Sequence, residues 1–408
     1  PNANEIENAQ AYAERAEAAA ALVSLKFESV AALLAWNLPL VVGKYISTQA
    51  EGYTYYVGAT GSTNYHVTTA FGNRLRALPR ASRWEPEMFA VNGSPGVTNM
   101  TAALQLALNT GRARINGVYR SMPLAVNTAV DVEFGGTITR HPSAATGSFI
   151  VFNADVLIDG RGKLDLNKEN TTTGCHGIRV NAPALKVGIF NMTIRGAKAV
   201  SGWGDGISIG TGQGASSDIR VAGCTSEDND GAGISGADIR NGDLFNNRCL
   251  RNGGNGIMLN NFDQTFTQKI RWTRVRHNLC SFNVRSGIGV GNYIEDNNIS
   301  SGVRLYGFNN MEATDIVIEG NTCESNGVYG IAVAALGVSV LGNTVRRNGT
   351  EGTPHGGILS NSFRPDIHNN VSEFNIGFGI DAGGSNRPSI CSNVIAFNNG
   401  TALSVECT

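Results

Sequence analysis

One pattern of apolar and polar positions recurs along the second half of the chain. It consists of an apolar residue, two further positions, Asn, four positions, Asn, three positions and then Gly-Ile, with copies that begin at Leu244, Val275, Ile318 and Ile367. Most copies follow one another at intervals of about twenty to thirty residues, and none shows a helical spacing of apolar residues. A repeat of this length built from short strands is typical of a β-solenoid, in which each coil stacks on the next.

The positions of the repeat predict how the coils pack. Ile and Val point inward and stack in register, because the strands of adjacent coils hydrogen-bond about 4.8 Å apart. Each Asn is expected at a bend in the left-handed conformation, with its amide bonded to the equivalent Asn of the next coil as a ladder. Cys249, Cys280 and Cys323 share one column and are interpreted as stacked core side chains rather than metal ligands.

The residues ahead of the repeat divide into three predicted segments. Residues 1–36 are a helix whose Ala-rich face is expected to pack on copies of itself, the alternative being a frayed surface helix. Residues 37–86 are short β-prone runs separated by glycines, followed by a polar linker. Residues 87–140 are a capping segment that contains an amphipathic helix, and residues 141–408 are the solenoid itself. The predicted class is therefore all-β with an N-terminal α-helix and a small β module.

Composition narrows the function classes. Lys and Arg total 32 against 33 Asp and Glu, a net charge of −1, so neither nucleic acid nor an anionic membrane is an expected partner. No stretch of about 18 apolar residues is present to span a bilayer, and Ala18–Val23 is too short for a signal peptide. Seven Cys without a CxxC pair indicate neither a zinc site nor a full disulfide framework. We expect a chain made in the cytoplasm without metal or cofactor.

The order Gly-Ile followed by an apolar residue and Asn resembles the coils of the pectate-lyase-like, right-handed, single-stranded parallel β-helix superfamily, and this resemblance covers residues 88–408. Residues 89–119 are similar to the capping segment of bacteriophage tailspikes, with Thr98-Asn99-Met100-Thr101 in place of the usual Asp-Asp-Thr. Residues 51–79 resemble the small module that precedes many tailspike β-helices.

The tailspike resemblance implies a homotrimer in the virion tail that is attached to other tail or baseplate proteins through its N-terminal region. It also implies binding, and depolymerisation by an endo-glycosidase or lyase, of a bacterial surface polysaccharide such as capsule, O-antigen or exopolysaccharide. Two other functions stay open. One is a purely adhesive receptor-binding fibre, and the other is a free polysaccharide lyase or epimerase.

Acidic residues cluster on two neighbouring coils. Asp205 directly precedes one Gly-Ile pair, and Glu227, Asp228 and Asp230 surround the corner of the following coil. Glycoside hydrolysis uses two carboxylates roughly 5–9 Å apart, a separation that one or two coils can give. These four residues are the predicted catalytic group, although Asp at corners also caps turns.

Sugar-binding candidates follow from the apolar C–H faces of sugars, which stack on aromatic rings. Breaks in the repeat and the residues near them supply Trp203, Trp272 and Tyr293, each of which could instead be ordinary packing, together with Asp263. Arg274 and Arg276 belong to a basic strip suited to an acidic polysaccharide.

One outward column, four residues before the first Asn of each coil, predicts neighbours that could form a surface charge ladder. Its members are Arg220, Asp243, Arg274, Val317, Ser339, Asp366 and Ser389.

Two histidines give little indication of a catalytic role. His176 and His355 are interpreted as lone histidines with no group to orient them. Thr353-Pro354-His355 is similar to the Asp-Pro-His motif of alginate epimerases but lacks the Asp, which argues against that activity.

Overall fold

The structure is a computed structural model that describes residues 25–404 apart from 64, 182–185, 201–203, 211–215, 261–269, 292–313, 350–354 and 401. The predicted N-terminal helix lies mostly outside the described residues. The chain divides into two compact units, residues 1–94 with 102–114 and residues 95–101 with 115–408. Within the described residues, no helix is long and apolar enough to cross a membrane.

The smaller unit contains a five-stranded sheet of strand order β1-β2-β3-β5-β4. Only β1 and β2 pair in parallel, and Leu33, Tyr55 and Leu75 are completely buried in this unit. The Tyr55 hydroxyl donates to the carbonyl of Met88 at 2.9 Å, so its buried polar atom is satisfied. The elements up to the solenoid are β1 Leu25–Phe27, α1 Val30–Leu34, β2 Tyr45–Thr48, β3 Thr54–Gly58, β4 Val67–Thr68, β5 Arg74–Ala77, a 3₁₀ turn Pro86–Met88, α2 Thr101–Asn109 and β6 Arg112–Ile115.

The larger unit is the predicted parallel β-helix. Each coil contributes one strand to each of three long sheets, and every strand pairs in parallel with its counterparts in adjacent coils. The prediction of an all-β solenoid is therefore confirmed, and the right-handed sense is the one that parallel crossovers adopt.

Sheet 1 contains β7 Val118–Ser121, β10 Thr137–Arg140, β13 Lys163–Asp165, β16 Thr193–Arg195, β19 Thr225–Glu227, β22 Arg248–Leu250, β25 Leu279–Ser281, β28 Thr322–Glu324, β31 Thr344–Arg346, β34 Val371–Glu373 and β37 Val394–Ala396. Sheet 2 contains β8 Leu124–Val126, β11 Ile150–Phe152, β14 Ile178–Val180, β17 Ile207–Ile209, β20 Ile234–Ala237, β23 Ile257–Asn260, β26 Ile288–Gly291, β29 Ile331–Ala334, β32 Ile358–Ser360, β35 Ile380–Asp381 and β38 Leu403–Ser404. Sheet 3 contains β9 Val130–Phe134, β12 Val156–Asp159, β15 Val187–Phe190, β18 Ser216–Ala222, β21 Ile239–Phe245, β24 Arg271–Arg276, β27 Thr314–Glu319, β30 Leu336–Leu341, β33 Asp366–His368 and β36 Ser389–Cys391. A 3₁₀ turn, Lys168–Asn170, follows β13.

The bore of the β-helix is filled by the stacked apolar columns that the repeat predicts. Ile234, Ile257 and Ile288 are in register on successive coils and are completely buried. Cys280 pairs in register with Cys249 on one side and Cys323 on the other, and all three are free, buried thiols. Their interpretation as stacked core side chains is confirmed.

Both Asn positions of the repeat form ladders inside the bends. Asn278 Nδ2 donates to Asn321 Oδ1 at 3.0 Å in one ladder, and Asn283 Nδ2 donates to Asn326 Oδ1 at 2.9 Å in the other. The expectation that these Asn residues are left-handed is wrong. Positive φ belongs to the residue before each Asn, such as His277 at 54° and Phe282 at 57°. The bend at that residue directs the following Asn into the interior, where its amide is satisfied.

Connections from sheet 1 to sheet 2 have one common length in most later coils, as in 251–256 and 282–287. They are longer at 166–177, 196–206 and 347–357, between the same two sheets. Longer connections add side chains to the outside of the β-helix without changing its bore, so these are the places where a site can be built.

Candidate functional site

The two long connections at 166–177 and 196–206 end in the same way. His176 precedes Gly177-Ile178, and Asp205 precedes Gly206-Ile207 on the next coil. The backbone N–H of Gly177 donates to the carbonyl of Asp205 at 2.9 Å, so the two residues occupy equivalent places at the entrance to sheet 2. This register brings a carboxylate beside an imidazole on the outside of the bore.

Two hydrogen bonds fix the Asp205 carboxylate, and a third joins the Asp205 backbone to the His176 ring. Asp205 Oδ1 accepts the backbone N–H of Ala232 at 2.8 Å, and Oδ2 accepts the Ser235 hydroxyl at 2.7 Å. His176 Nδ1 accepts the backbone N–H of Asp205 at 3.1 Å and lies 3.4 Å from Asp205 Oδ2. The interpretation of His176 as a histidine with no group to orient it is wrong, because the two coils hold its ring against Asp205.

Burial lowers the pKa of His176, the nearby Asp205 carboxylate opposes that shift, and Arg179 adds to it. The imidazole is therefore neutral near pH 7, and because Nδ1 is an acceptor, its proton is on Nε2. The two side chains are largely buried, at 11% and 16% exposed. A carboxylate held in this way can accept a proton or act as a nucleophile, whereas a neutral imidazole can accept a proton but cannot lose its last one near pH 7.

Arg140 holds the connection that ends at His176, and nothing in the repeat pattern indicates it. Its side chain is completely buried at the end of β10. The guanidinium donates to Thr171 Oγ1 at 2.8 Å, to Thr173 Oγ1 at 2.7 Å and to the carbonyl of Ala145 at 2.9 Å. Two of these bonds hold the hydroxyls of Thr171 and Thr173, which lie five and three residues before His176.

Glu227 and Asp228 are engaged by an arginine of the following coil. Arg251 lies 2.8 Å from Asp228 and 2.9 Å from Glu227. The hydrogen bonds from Arg251 lower the pKa of Asp228. Asp228 has a φ of 56°, so it also supplies the left-handed bend of its corner. This geometry corresponds to the turn-forming alternative for these two residues.

Asp230, at the same corner, contacts the two long connections that end at Asp205 and His176. Its Oδ2 accepts the backbone N–H of Ala199 at 3.0 Å, and its Oδ1 lies 3.2 Å from Lys168 Nζ. Ala232, two residues further on, donates to Asp205. Of the three carboxylates predicted beside Asp205, Asp230 is the one whose side chain bonds to the backbone of the connection that ends at Asp205.

The basic strip lies elsewhere, on the outer face of sheet 3. Trp272, Arg274 and Arg276 alternate with buried residues along β24, so all three point outward. The predicted outward column is in register, since Asp243 pairs with Arg220 on one side and with Arg274 on the other. The rest of the predicted column continues in register through Val317, Ser339, Asp366 and Ser389.

Asp243 does not form its ion pair with Arg274, its register partner in the column. Arg276 lies 2.8 Å from Asp243 and stacks over the Phe245 ring at 4.6 Å. Asp243 thus pairs diagonally, two residues along the strand from its register partner. Arg274 has no ion-pair partner among the described residues.

Of the residues singled out from the sequence, four have not yet been placed: Trp203, Asp263, Tyr293 and His355. Trp203, Asp263 and Tyr293 lie outside the described residues. His355 packs edge-on against Tyr329 at 4.9 Å, and burial lowers its pKa. Within the described part of the chain, no group of three or more His, Cys, Asp or Glu is placed to hold a metal ion.

Comparison with known proteins identifies the fold. The family model of NosD, described as a periplasmic copper-binding protein, matches residues 269–407. No curated protein matches the chain. Among solved structures, the A-module of mannuronan C-5 epimerase AlgE4 from Azotobacter vinelandii is similar with a TM-score of 0.58 and 16% identity, over 79% of this chain and 98% of that one.

Tailspikes are also among the similar structures. Full-length tailspike protein 2 of an Escherichia coli O157:H7 bacteriophage gives a TM-score of 0.60 and 16% identity over 88% of this chain and 48% of that one. The enzymatically active domain of tailspike protein 2 from bacteriophage CBA120 gives 0.57 and 16% identity, over 85% and 52%. This chain spans about half the length of those tailspike chains. The resemblance to tailspikes and other right-handed β-helix proteins is thus confirmed for the fold.

Proposed function

We propose that this chain is a phage tailspike that binds and depolymerises a polysaccharide of the host surface, with the chemistry at Asp205 and His176. The carrying observation is the 3.4 Å approach of a neutral imidazole to a carboxylate on the outside of the β-helix. The similar structures include an epimerase that acts on mannuronan and the enzymatically active domain of a tailspike. Because the bore is filled by side chains, a polymer has only the outer surface to bind.

The roles follow from the hydrogen bonds. Asp205 is held by Ala232 and Ser235, so its carboxylate keeps one orientation while a substrate moves. Asp205 acts as base or nucleophile, and the leaving oxygen takes its proton from solvent. The neutral His176 ring orients Asp205 by accepting its backbone N–H and keeps its own single proton, because losing it would leave an imidazolate. Asp230 is the second carboxylate in this proposal, while Glu227 and Asp228 support the corner through Arg251.

The test is cleavage of a panel of polysaccharides by the full chain. The panel holds capsule and lipopolysaccharide from candidate hosts, alginate, polygalacturonate and neutral dextran. New reducing ends support depolymerisation, and a rise in the ultraviolet band of unsaturated uronates identifies a lyase rather than a hydrolase. Asp366→Asn, on the exposed outer face of sheet 3, is the matched control for Asp205→Asn. Binding without new ends contradicts the catalytic proposal and favours an adhesive fibre.

Assembly into a homotrimer, attached to the virion through the N-terminal region, is a second part of the proposal. One chain has a mass of 43.0 kDa. Repeated sites on a trimer raise avidity for a repetitive polymer, because the second contact is made at high effective concentration. Light scattering of the purified full chain gives the mass directly: three chain masses support the trimer, and one chain mass contradicts it.

A further inference from the structure

Trp272 stands between short polar residues of the neighbouring coils, in a column whose later members are Gly337, Arg364 and Arg387. Asp218, Asn241, Trp272 and Asp315 occupy equivalent places on four successive coils of sheet 3. All four have positive φ, at 53°, 52°, 50° and 56°. Asn and Asp tolerate this conformation best, although other bends of this chain also hold large residues such as Phe282 and Arg364. The fold requires the bend at this position but does not require an indole.

The Trp272 side chain also contributes nothing to the core. It is 59% exposed on the outer face of β24. On the adjacent coils, about 4.8 Å away, it is flanked by Asn241 and Asp315. An exposed ring between two hydrogen-bonding side chains matches what a sugar offers, namely an apolar C–H face bordered by hydroxyls.

Arg274 supplies a charge at the next outward position of the same strand. The two positions are about 7 Å apart, because a strand advances about 3.3–3.4 Å per residue. Arg276 engages Asp243 through two hydrogen bonds of 2.9 and 2.8 Å, so the acid in register with Arg274 is already paired. Arg274 is exposed and, within the described part of the chain, has no ionic partner.

We infer that the outer face of β24 is a binding site for an acidic sugar unit, which stacks on Trp272 and places its anionic group on Arg274. A planar guanidinium binds a carboxylate or a sulfate through paired hydrogen bonds. This inference rests on the proposed function and adds the substrate class, an anionic glycan, at a site on sheet 3 that is separate from Asp205 on sheet 2. It assigns no chemistry to Trp272 or Arg274.

Calorimetric titration of the full chain tests the site with three probes: oligouronates, a sulfated glycan and neutral dextran fragments. Trp272→Asn introduces the residue that the preceding coil carries at this place, so the bend is preserved and the thermal midpoint should not fall. We expect at least a tenfold loss of affinity for the acidic oligomers. Arg274→Ser, which copies Ser339 of the same column, should lose affinity for acidic oligomers and leave dextran binding unchanged. Comparison of uronate with sulfate identifies the anionic group.

Phe282→Asn is the matched control. Phe282 is 61% exposed with a φ of 57°, but it lies at the corner between sheets 1 and 2. The affinity of the Phe282→Asn variant for acidic oligomers should stay within twofold of that of the wild type. Equal losses in Trp272→Asn and Phe282→Asn, unchanged binding in Trp272→Asn, or a wild-type chain without preference for acidic glycans would each overturn the inference. Cleavage measured in the same preparations separates these results from a failure of the proposed function, which would appear as no turnover of any polysaccharide.

Discussion

Asn278 donates two hydrogen bonds to one atom, the Oδ1 of Asn321. Its backbone N–H lies 2.9 Å and its side-chain Nδ2 lies 3.0 Å from that oxygen. Asn321 in turn donates its own Nδ2 to the carbonyl of Val275 at 2.8 Å. Both Asn side chains are buried, so water cannot replace these bonds. Asn321 Nδ2 also donates to Asn343 Oδ1 at 2.9 Å, so one amide satisfies four polar groups at the bend.

Replacement of Asn321 by Ala should lower the free energy of unfolding by about 3 kcal/mol, since several buried groups lose their partners at once. The shift of the urea midpoint measures it. Asn153→Ala is the control: Asn153 is exposed, and its Nδ2 donates to Asn127 Oδ1 at 2.6 Å, so its loss should cost less than about 1 kcal/mol. Equal midpoints for the two variants would contradict the importance of burial in the ladder.

Asp205→Asn should reduce the rate of polysaccharide cleavage by about a hundredfold or more, because a positioned acid or base contributes this much. Asp228→Asn should leave the rate within about threefold, since its carboxylate is engaged by Arg251 at 2.8 Å and is 40% exposed. Initial rates of reducing-end release compare the two. If Asp228→Asn is the more damaging change, the chemistry belongs to the corner rather than to the entrance of sheet 2.

Acid should weaken the folded state through His176. Burial lowers its pKa, so below the ordinary value of about 6.5 the unfolded chain takes up a proton that the folded chain resists. Stability contributed by the neutral ring is complete above that pH and falls as the pH drops below it. The carboxylates Asp165 and Asp228, whose pKa values are also lowered, contribute losses only below about pH 4.

Thermal midpoints at about pH 7.5 and about pH 5 give the measurement. His176→Gln should lose less stability on acidification than the wild type does. His277→Asn, at an exposed bend, should retain the wild-type loss. A His176→Gln variant with an unchanged acid loss would assign the effect to His66 and His355, whose pKa values burial also lowers.

Thiol labelling should distinguish the core column from the surface. Cys249, Cys280 and Cys323 are completely buried, and burial raises the pKa of the Cys224 thiol to about 12. A maleimide must reach the sulfur atom, so these buried residues should resist it in the native chain while exposed Cys391 reacts. Peptide mapping by mass spectrometry locates the label. Rapid modification of Cys280 under native conditions would contradict the stacked arrangement.

Fixed spacing made the bore predictable. Asn278 and Asn321 occur at the same offset from Ile288 and Ile331, and the two Asn of a coil keep their own spacing even where the following connection is longer, as at Asn343 and Asn348. The same logic placed Arg220, Asp243 and Arg274 in one column. The spacing did not predict that Asp243 pairs with Arg276. Register determines which residues are neighbours, but side-chain rotamers determine which of two nearby partners is bonded.

The site was less predictable because it lies outside the repeat. Asp205 was identified by its position before Gly206, but His176 belongs to an earlier coil that lacks both Asn markers. Only the alignment of Gly177 with the Asp205 carbonyl reveals that the two are neighbours. Left-handed bends also escaped prediction, since residues as unlike as Phe282 and Arg347 occupy them.

The ladders have a consequence for how such a surface can change over time. Since each Asn bonds only to its counterparts directly above and below, a duplicated coil would carry its own complete set of donors and acceptors. Insertion of one such unit would lengthen the reach along a linear polymer by about 4.8 Å and leave every older contact between coils intact except at the junction. Recognition could therefore drift coil by coil while the chain keeps folding.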